Sequence, residues 1–285
     1  MSRIAYVNGS YVPHREAAVH VEDRGYQFAD GVYEVCEVRG GRLVDEPRHM
    51  ARLERSLKEL RIAMPMTLKA LGVVLRETVR RNRVRDGIVY LQITRGVAPR
   101  DHAFPTKPIV PSVVVTAKRL DPAAGEKAAA SGIAVVTVAE NRWPRVDIKS
   151  VALLPNVLAK QAAREQGAKE AWYVDASGHV TEGSSSNAWI VTKQNKVVTR
   201  SAESGILRGI TRTVLLDVLK DQGLTLEERA FTVDEALDAR EAFVTSASQL
   251  VMPVVTIDGR PVANGAPGLV AGALRRDFHT RAEIG

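Results

Sequence analysis

Apolar residues recur along this chain at two spacings, and together they predict a mixture of strands and helices. Short apolar runs and alternation predict strands, whereas apolar residues three and four positions apart predict helices. Strands are expected over residues 4–7, 11–12, 32–38, 88–94, 112–117, 133–138, 171–174, 188–191, 197–199, 242–245 and 250–257, and at Val180. Helices are expected after Pro47, over 68–83, 155–166 and 211–222, after the capping box at 232–235, and after Pro267. The pairs Asn8-Gly9 and Asp258-Gly259 predict hairpin turns.

The order of these elements predicts a two-domain chain of mixed α/β (α+β) class. Residues 1–118 would form an N-terminal α/β domain and residues 132–285 a C-terminal domain. Residues 119–131, rich in Ala, Pro, Gly and charged residues, would be the interdomain linker. A second segment without apolar periodicity, residues 95–111, is rich in proline. Loops of that length within compact domains are often functional.

Composition is that of an ordinary globular protein, with 45% hydrophobic and 26% charged residues among 285. No apolar run reaches the roughly eighteen residues needed to span a bilayer, so no membrane association is expected. The N-terminus lacks the apolar core of a signal peptide. One cysteine, Cys36, cannot form an internal disulfide, and a reducing, cytoplasmic setting is expected.

The formal net charge of +7 raises the alternative of a basic protein that binds nucleic acid. Most basic residues are interleaved with acids, as in the segment 52–55, which is typical of a solvated helix face. The densest basic run, 80–85, has no interleaved aromatic residues for base stacking. No nucleic-acid partner is therefore expected, and steep salt dependence of DNA retention would mark the alternative.

Two residue types that support one cofactor chemistry lie about thirty positions apart. Lys149 follows apolar, β-branched segments (133–138 and 146–148), as if at a strand end, and Glu182 lies in a Gly/Ser-rich turn over 181–187. A lysine forms a Schiff base with a carbonyl, and a carboxylate can hold a pyridinium nitrogen protonated. These are the groups that pyridoxal 5′-phosphate (PLP) needs, although a surface lysine and a turn carboxylate would look the same in isolation.

A phosphate site is indicated by three further features. Gly209-Ile210-Thr211 begins a predicted helix, and helix N-termini bind anions through exposed N–H groups. Ser246-Ala247-Ser248 follows a predicted strand and offers further donors, and Arg52 could add an ion pair. Each of these signals is common by itself.

An amino-acid substrate would need a cation for its carboxylate. Arg100 and His102, in the loop over 95–111, are candidates, and Tyr33 and Tyr90 could donate hydroxyl hydrogen bonds. Without support, the first pair are ordinary loop residues and the tyrosines ordinary core aromatics. The six histidines have no metal-ligand spacing, so no metal site is expected, and no serine-hydrolase, P-loop or dinucleotide motif occurs.

Taken in order, several segments resemble the fold-type IV PLP aminotransferases nearly from end to end, and most of all their D-amino acid branch. These segments are 22–28, 30–34, 94–96, 100–102, 147–150, 158–161, 181–187 and 209–212. Any one of them could arise by chance, but together and at this spacing they are specific. The resemblance implies a smaller N-terminal α/β domain and a C-terminal pseudo-barrel domain.

The resemblance also implies a role for each candidate. Lys149 would carry PLP as a Schiff base and move the substrate proton, and Glu182 would bind the pyridine nitrogen. Leu207 would support the ring face. The implied phosphate-side residues are Arg52, Ile210, Thr211, Ser246 and Ala247. The implied substrate-binding residues are Tyr33, Tyr90, Arg100 and His102.

The pair Arg100-x-His102 is similar to the carboxylate trap of the D-amino acid enzymes in this family. This implies ping-pong transfer of an amino group from a D-amino acid, such as D-alanine, to a 2-oxo acid, such as 2-oxoglutarate. It further implies a homodimer in which the loop around Arg100 completes the neighbouring site.

Alternatives within the fold are an (R)-amine transaminase, a branched-chain aminotransferase and aminodeoxychorismate lyase. A PLP-carrying protein without turnover is a further alternative. Three departures from the family pattern bear on substrate range: Ala29 replaces a glycine, Asp101 separates Arg100 from His102, and Ala247 replaces a hydroxyl residue.

Overall fold

The structure, a computed structural model, describes residues 3–285. Its strands are β1 (Ile4–Val7), β2 (Ser10–Pro13), β3 (Gly31–Arg39), β4 (Arg42–Leu43), β5 (Gly87–Thr94), β6 (Ser112–Arg119), β7 (Ile133–Ala139), β8 (Glu170–Val174), β9 (Val180–Gly183), β10 (Asn187–Val191), β11 (Lys196–Thr199), β12 (Thr225–Glu228), β13 (Glu241–Ser246), β14 (Leu250–Ile257) and β15 (Arg260–Pro261). Its α-helices are α1 (Arg24–Phe28), α2 (Glu46–Glu59), α3 (Leu68–Arg81), α4 (Pro122–Ser131), α5 (Leu154–Glu165), α6 (Ile210–Asp221), α7 (Val233–Asp238) and α8 (Leu269–Arg281). None of the helices within 3–285 is long and apolar enough to cross a membrane.

The chain forms two compact units whose membership differs in detail from the predicted domains. Unit 1 holds the described residues up to Pro122 together with Ile148–Ala152 and Glu283–Gly285, and unit 2 holds the remainder. Most of the predicted linker, 119–131, forms the helix α4. Its alanines favour a helix although the segment has no distinct apolar and polar faces. The segment that carries Lys149 belongs by its contacts to unit 1, although most of its sequence neighbours lie in unit 2.

Unit 1 is built on a six-stranded antiparallel sheet in the order β2-β1-β6-β5-β3-β4. The apolar faces of α2 and α3, with Leu53 and Leu71 fully buried, share one hydrophobic core with β3, β5 and β6. Alternating burial along β5 is the period-two pattern of a strand with one face in the core. Because β3 is paired within this sheet, the position of Tyr33, which β3 carries, is fixed relative to this core.

Unit 2 is built on a mixed sheet in the order β12-β11-β10-β13-β14-β7-β8-β9, with β15 paired to β14. The pairs β7–β8, β7–β14 and β11–β12 are parallel. The terminal strand β9 returns to the middle of the sheet, since Gly183 N–H donates to Ser186 O at 2.7 Å just before β10 begins. The sheet is thus strongly curved, in accord with the pseudo-barrel that the resemblance implied.

The predicted two-residue turns are confirmed by backbone geometry. Asn8 and Gly9 have φ of 45° and 100°, and Asp258 and Gly259 have φ of 49° and 75°, which are the left-handed values of a type I′ hairpin turn. The predicted cap at Thr232 is also present, because its side chain accepts the Glu235 N–H at 3.1 Å. Five of the elements were not predicted: the helices α1 and α4 and the short strands β4, β12 and β15.

Candidate active site

Lys149 lies in an irregular segment that runs beside β3. Tyr33 N–H donates to Lys149 O at 3.0 Å, and Val151 N–H donates to Gly31 O at 3.0 Å. The expectation of a strand-end lysine was wrong, because residues 140–149 form no strand and Ser150 makes only an isolated bridge with Val32. These backbone contacts nevertheless fix the position of Lys149, whose side chain is half-buried.

Tyr33 and Tyr90 form the wall next to the lysine. Lys149 Nζ lies 4.2 Å from the centroid of the Tyr33 ring, and this ring stacks on Tyr90 with centroids 5.7 Å apart. Tyr90 Oη donates to Gln92 Oε1 at 2.6 Å, and burial raises the pKa of Tyr90 to about 12, so its hydroxyl stays protonated. The structure thus brings together three of the predicted residues within unit 1.

Arg52 lies on α2 and pairs with a buried carboxylate that was not predicted to have a role. Its Nε and Nη2 donate to Glu34 Oε1 and Oε2 at 2.8 and 2.7 Å, and His49 Nδ1 lies 2.8 Å from Glu34 Oε2. Burial alone would raise the pKa of Glu34, but Arg52 and His49 overcome that effect and lower it to about 2.

His49 is neutral in this arrangement. Burial lowers its pKa and outweighs the hydrogen bond to Glu34, and the nearby charges of Arg52 and Lys149 lower it further. Because a carboxylate can only accept, the neutral ring donates from Nδ1 to Glu34. The Glu34 carboxylate thus fixes two of the five N–H donors of Arg52, and the guanidinium orientation with them.

Arg100 and His102 are exposed in a segment, residues 95–111, that forms no regular helix or strand. Both pack on one ring: Arg100 Cζ lies 5.1 Å from the Phe28 centroid, and the His102 ring lies 5.3 Å from it. Asp101 does not turn towards Arg100 but accepts the Ala103 N–H at 3.2 Å within the loop's own turn. The acid between Arg100 and His102 therefore serves the loop backbone.

Glu182 is a buried carboxylate in unit 2, with 4% of its surface exposed. Arg142 Nη1 donates to its Oε1 at 2.6 Å, while Leu207 N–H and Asn187 Nδ2 each donate to Oε2 at 3.1 Å. Burial raises the pKa of Glu182, and Arg142 opposes this effect most strongly. Arg142 is itself held by Glu140, through contacts of 2.6 and 2.8 Å.

Asn187 connects Glu182 with the segment 207–211, which contains the predicted residues Leu207, Ile210 and Thr211. Its Nδ2 also donates to Leu207 O at 2.9 Å, so the backbone of Leu207 is fixed against the carboxylate on both sides. Gly209 is the N-cap of α6, and a Cβ built there would lie only 2.1 Å from Asn187 Oδ1. The start of α6, with Ile210 and Thr211 buried, is thereby drawn close to the Glu182 site.

Ser246 and Ala247 lie where β13 turns into β14, and both are half-buried. The register of β10 and β13 places Asn187 opposite Thr245, so Ser246 follows directly on the neighbour of Asn187. Within unit 2 the structure therefore gathers Glu182, Leu207 and the α6 N-terminus around Asn187, with Ser246 on the adjoining strand.

Sequence reasoning missed the residues that hold the candidates in place. Asn187 and Glu34 lie inside the segments 181–187 and 30–34, which resemble the family. Their sequence positions therefore pointed to importance, but the sequence did not indicate what they do. Arg142 and His49 carried no such signal, because their partners are chosen by tertiary packing.

The donor set fits PLP in chemical type. Unit 1 offers a lysine amine beside an aromatic ring and an arginine held by a buried carboxylate. Unit 2 offers a buried carboxylate braced by a cation, which suits a pyridinium nitrogen, and a helix N-terminus whose N-cap has no side-chain hydrogen bond, which suits a phosphate.

Comparison with known proteins agrees with this chemistry. The family model described as "Amino-transferase class IV" matches residues 31–257. A D-alanine aminotransferase of Bacillus licheniformis is 44% identical over 261 residues, which cover 92% of this chain and 90% of that protein. A D-alanine aminotransferase of Staphylococcus haemolyticus is 39% identical over 275 residues, 96% of each chain.

Solved structures share the fold. A branched-chain aminotransferase of the thermophilic archaeon Thermoproteus uzoniensis with norvaline has a TM-score of 0.86 and 25% identity, covering 100% of this chain and 99% of that one. The PLP-bound form of a hypothetical aminotransferase from Mycobacterium tuberculosis has a TM-score of 0.85 and 22% identity, covering 98% of each chain, which establishes likeness of fold alone.

Proposed function

The chain belongs to the class IV aminotransferase family, and on that premise we propose that it is a PLP-dependent transaminase acting on D-amino acids such as D-alanine. The amino group would pass to a 2-oxo acid such as 2-oxoglutarate in a ping-pong sequence. The relatives named D-alanine aminotransferase are 39% and 44% identical to this chain, whereas the branched-chain enzyme compared above is 25% identical. That difference supports the D-amino acid branch.

The observation that carries the proposal is the position of Lys149. Its amine lies against the Tyr33 ring and interacts electrostatically with His49, beside the buried Glu34–Arg52 pair. An amine held at an aromatic wall is suited to bind an aldehyde covalently and afterwards to take a proton. We assign it both the attachment of PLP and the transfer of the substrate Cα proton.

PLP supplies an aldehyde that condenses with amines and a ring that withdraws electrons from Cα. Glu182 would accept a hydrogen bond from the ring nitrogen and keep it protonated. The Arg142 contact favours the charged carboxylate that this task requires, against the effect of burial. Asn187 and the Leu207 N–H would hold the carboxylate in orientation.

Each unit holds candidate donors for the phosphate, and we propose a role for them. In unit 1 the Arg52 guanidinium is oriented by Glu34. In unit 2 the N-terminus of α6, with Ile210 and Thr211, would supply N–H groups, and Ser246 a hydroxyl. Leu207 would pack on the ring face, and Ala247 would contribute only its backbone.

Arg100 and His102 would bind the substrate carboxylate, with the Tyr33 and Tyr90 hydroxyls close to the substrate. Because both loop residues are exposed on their own chain, they are available to a neighbouring subunit. We therefore propose a homodimer in which this loop completes the partner's site. The buried, disulfide-free Cys36 supports a reducing, cytoplasmic setting.

The proposal is tested by supplying the PLP-loaded protein with D-alanine or L-alanine, each with 2-oxoglutarate, and measuring pyruvate. Pyruvate from D-alanine alone is expected. Arg100→Ala should then weaken turnover of D-alanine but not of an (R)-amine that lacks a carboxylate. Pyruvate from L-alanine alone, or from neither isomer, would contradict the proposed substrate class.

A further inference from the structure

Three charged residues of unit 1, two buried arginines and a half-buried aspartate, have no part in the chemistry assigned above. Arg24, Asp30 and Arg95 lie in or beside the recognised segments 22–28, 30–34 and 94–96. The side chains of Arg24, Arg95 and Asp30 are only 3%, 9% and 11% exposed. We call these three residues the loop clamp, because together they connect the segment that carries Arg100 and His102 to the rest of unit 1.

The Arg24 guanidinium holds the backbone of that segment directly. Its Nη1 donates to Asp101 O at 2.6 Å and to Ala103 O at 3.3 Å, and its Nη2 donates to His102 O at 3.4 Å. Three successive carbonyls thus converge on one side chain. The planar fork of arginine suits this task, whereas the single ammonium of a lysine does not.

Asp30 fixes the direction in which Arg24 points. Its Oδ2 accepts from Arg24 Nε at 2.8 Å and from Arg95 Nε at 2.7 Å, while its Oδ1 accepts from Arg95 Nη2 at 2.9 Å. Burial alone would raise the pKa of Asp30, but Arg95 and Arg24 outweigh it and lower the pKa, so the carboxylate is charged.

Arg95 ties the clamp to the body of unit 1. Its Nη1 and Nη2 donate to Arg61 O and Leu60 O at 2.8 and 2.7 Å, just after α2. Its guanidinium also covers the ring of Phe104 in the loop, with Cζ 3.7 Å from the centroid. The loop is therefore attached, through Arg95, to the C-terminal end of α2, the helix that carries Arg52.

The short helix α1, which carries Arg24, also contacts the side chains of the loop. Arg100 and His102 contact the ring of Phe28, at the end of α1, and the centroid of this ring lies 4.8 Å from Arg24 Cζ. A single helical turn thus sets both the backbone of 101–103 and the side chains at either end of the Arg100-x-His102 pair.

We propose that Arg24 and Asp30 are positioning residues for recognition of the substrate carboxylate. They hold Arg100 and His102 in the binding geometry before the substrate arrives, so that binding need not order the loop. The inference rests on the proposed function, because it takes the ligand of this loop to be a substrate carboxylate.

The test compares the PLP-loaded wild-type protein with Arg24→Lys and Asp30→Asn. Arg119→Lys is the matched control, since Arg119 also donates to a main-chain carbonyl of unit 1, that of Arg83, away from the loop. Three quantities are measured: kcat and KM for D-alanine, the rate of cofactor reaction with D-alaninamide, which lacks the carboxylate, and amide hydrogen exchange over residues 99–104.

In Arg24→Lys we expect KM for D-alanine to rise by about tenfold or more with kcat within about threefold, because binding rather than chemistry is weakened. Reaction with D-alaninamide should change little, and exchange over 99–104 should rise while the rest of unit 1 is unaffected. Asp30→Asn should show the same pattern more weakly, and it decides the question if Arg24→Lys does not fold. Arg119→Lys should match the wild type.

Unchanged KM in both clamp variants, or unchanged exchange in the loop, would overturn the inference while leaving the proposed function intact. Equal losses with D-alanine and D-alaninamide would also overturn it, because a carboxylate-specific role predicts a difference. A wild-type protein that does not react with D-alanine at all would instead contradict the proposed function, and the carboxylate role with it.

Discussion

Glu182 shows how neighbours set the state of a single carboxyl group. Burial favours its neutral form, and Arg142, Asn187 and the Leu207 N–H favour its charged form. A carboxylate that holds a pyridinium nitrogen must be the charged one. The cation Arg142 is consequently as much a part of the site as the acid it contacts.

Glu182→Gln should keep PLP bound but lower kcat for D-alanine by about a hundredfold or more, because an amide does not keep the ring nitrogen protonated. Glu140→Gln is the control, since it also removes a carboxylate partner of Arg142 but leaves Glu182 in place. Absorbance reports cofactor occupancy and steady-state kinetics report kcat. Equal losses in both variants would show that only the support of Arg142 matters.

The lowered pKa of Glu34 means that the free energy of unfolding should decrease at low pH. The folded pKa is about 2 against an ordinary 4.5. The stabilisation is therefore fully present above about pH 4.5 and disappears as pH falls towards 2, a loss of about 3 kcal/mol in the free energy of unfolding. The lowered pKa of His49 acts in the same direction below its ordinary 6.5.

Urea unfolding between pH 2 and pH 7 checks this. Glu34→Gln should be less stable than the wild type at neutral pH, and its free energy of unfolding should depend much less on pH below 4.5. Glu77→Gln is a surface control: Arg80 and Arg81 lower the pKa of Glu77 to about 2 as well, but solvent screens that pair and the curve should hardly change. A slope equal in wild type and Glu34→Gln would refute the assignment.

Among the elements, α1 is short, yet its residues Arg24 and Phe28 hold the loop 95–111 that follows β5 in position. It is capped by Asp23, whose Oδ1 accepts the Gly25 N–H at 2.8 Å, and it ends at Ala29 with φ of 56°. A left-handed alanine costs about 1 kcal/mol because its Cβ crowds the backbone. Here the family pattern has a glycine, so the departure noted in the sequence has a structural cost.

Ala29→Gly should raise the free energy of unfolding by about 0.5–1 kcal/mol, the relief of strain less the added freedom of the unfolded chain. Ala51→Gly, at an exposed position inside α2, should lower it by about 1 kcal/mol. Denaturant midpoints compare the two. Destabilisation by both substitutions would show that the left-handed residue carries no strain.

Local signals predicted the elements well where they were strong. The Asn-Gly and Asp-Gly turns and the Thr232 cap were predicted because the geometry of each is determined by only a few neighbouring residues. The helix α1 is too short for a periodicity, and α4 has too little apolar contrast. The pairing of Lys149 with β3 joins residues more than a hundred positions apart, so no local pattern could reveal it.

At the scale of the whole molecule, the proposed homodimer predicts how two inactive variants behave when they are mixed. If the loop completes the neighbouring site, Lys149→Ala and Arg100→Ala place both defects in the same site of a mixed dimer and leave the other site intact. Random co-assembly of the two variants should then restore about a quarter of wild-type activity, since half the dimers are mixed and each mixed dimer has one intact site. No restoration would show that each loop serves its own chain.

In the proposed function, Lys149 and PLP together take one amino group from a D-amino acid in the first half-reaction. The most direct measurement is a single turnover of the PLP-loaded protein with D-alanine and no 2-oxo acid. One pyruvate per bound cofactor is predicted, then a stop until 2-oxoglutarate is added, with none from L-alanine or from Lys149→Ala. A wild-type protein with its chromophore intact that forms no pyruvate from D-alanine would contradict the account.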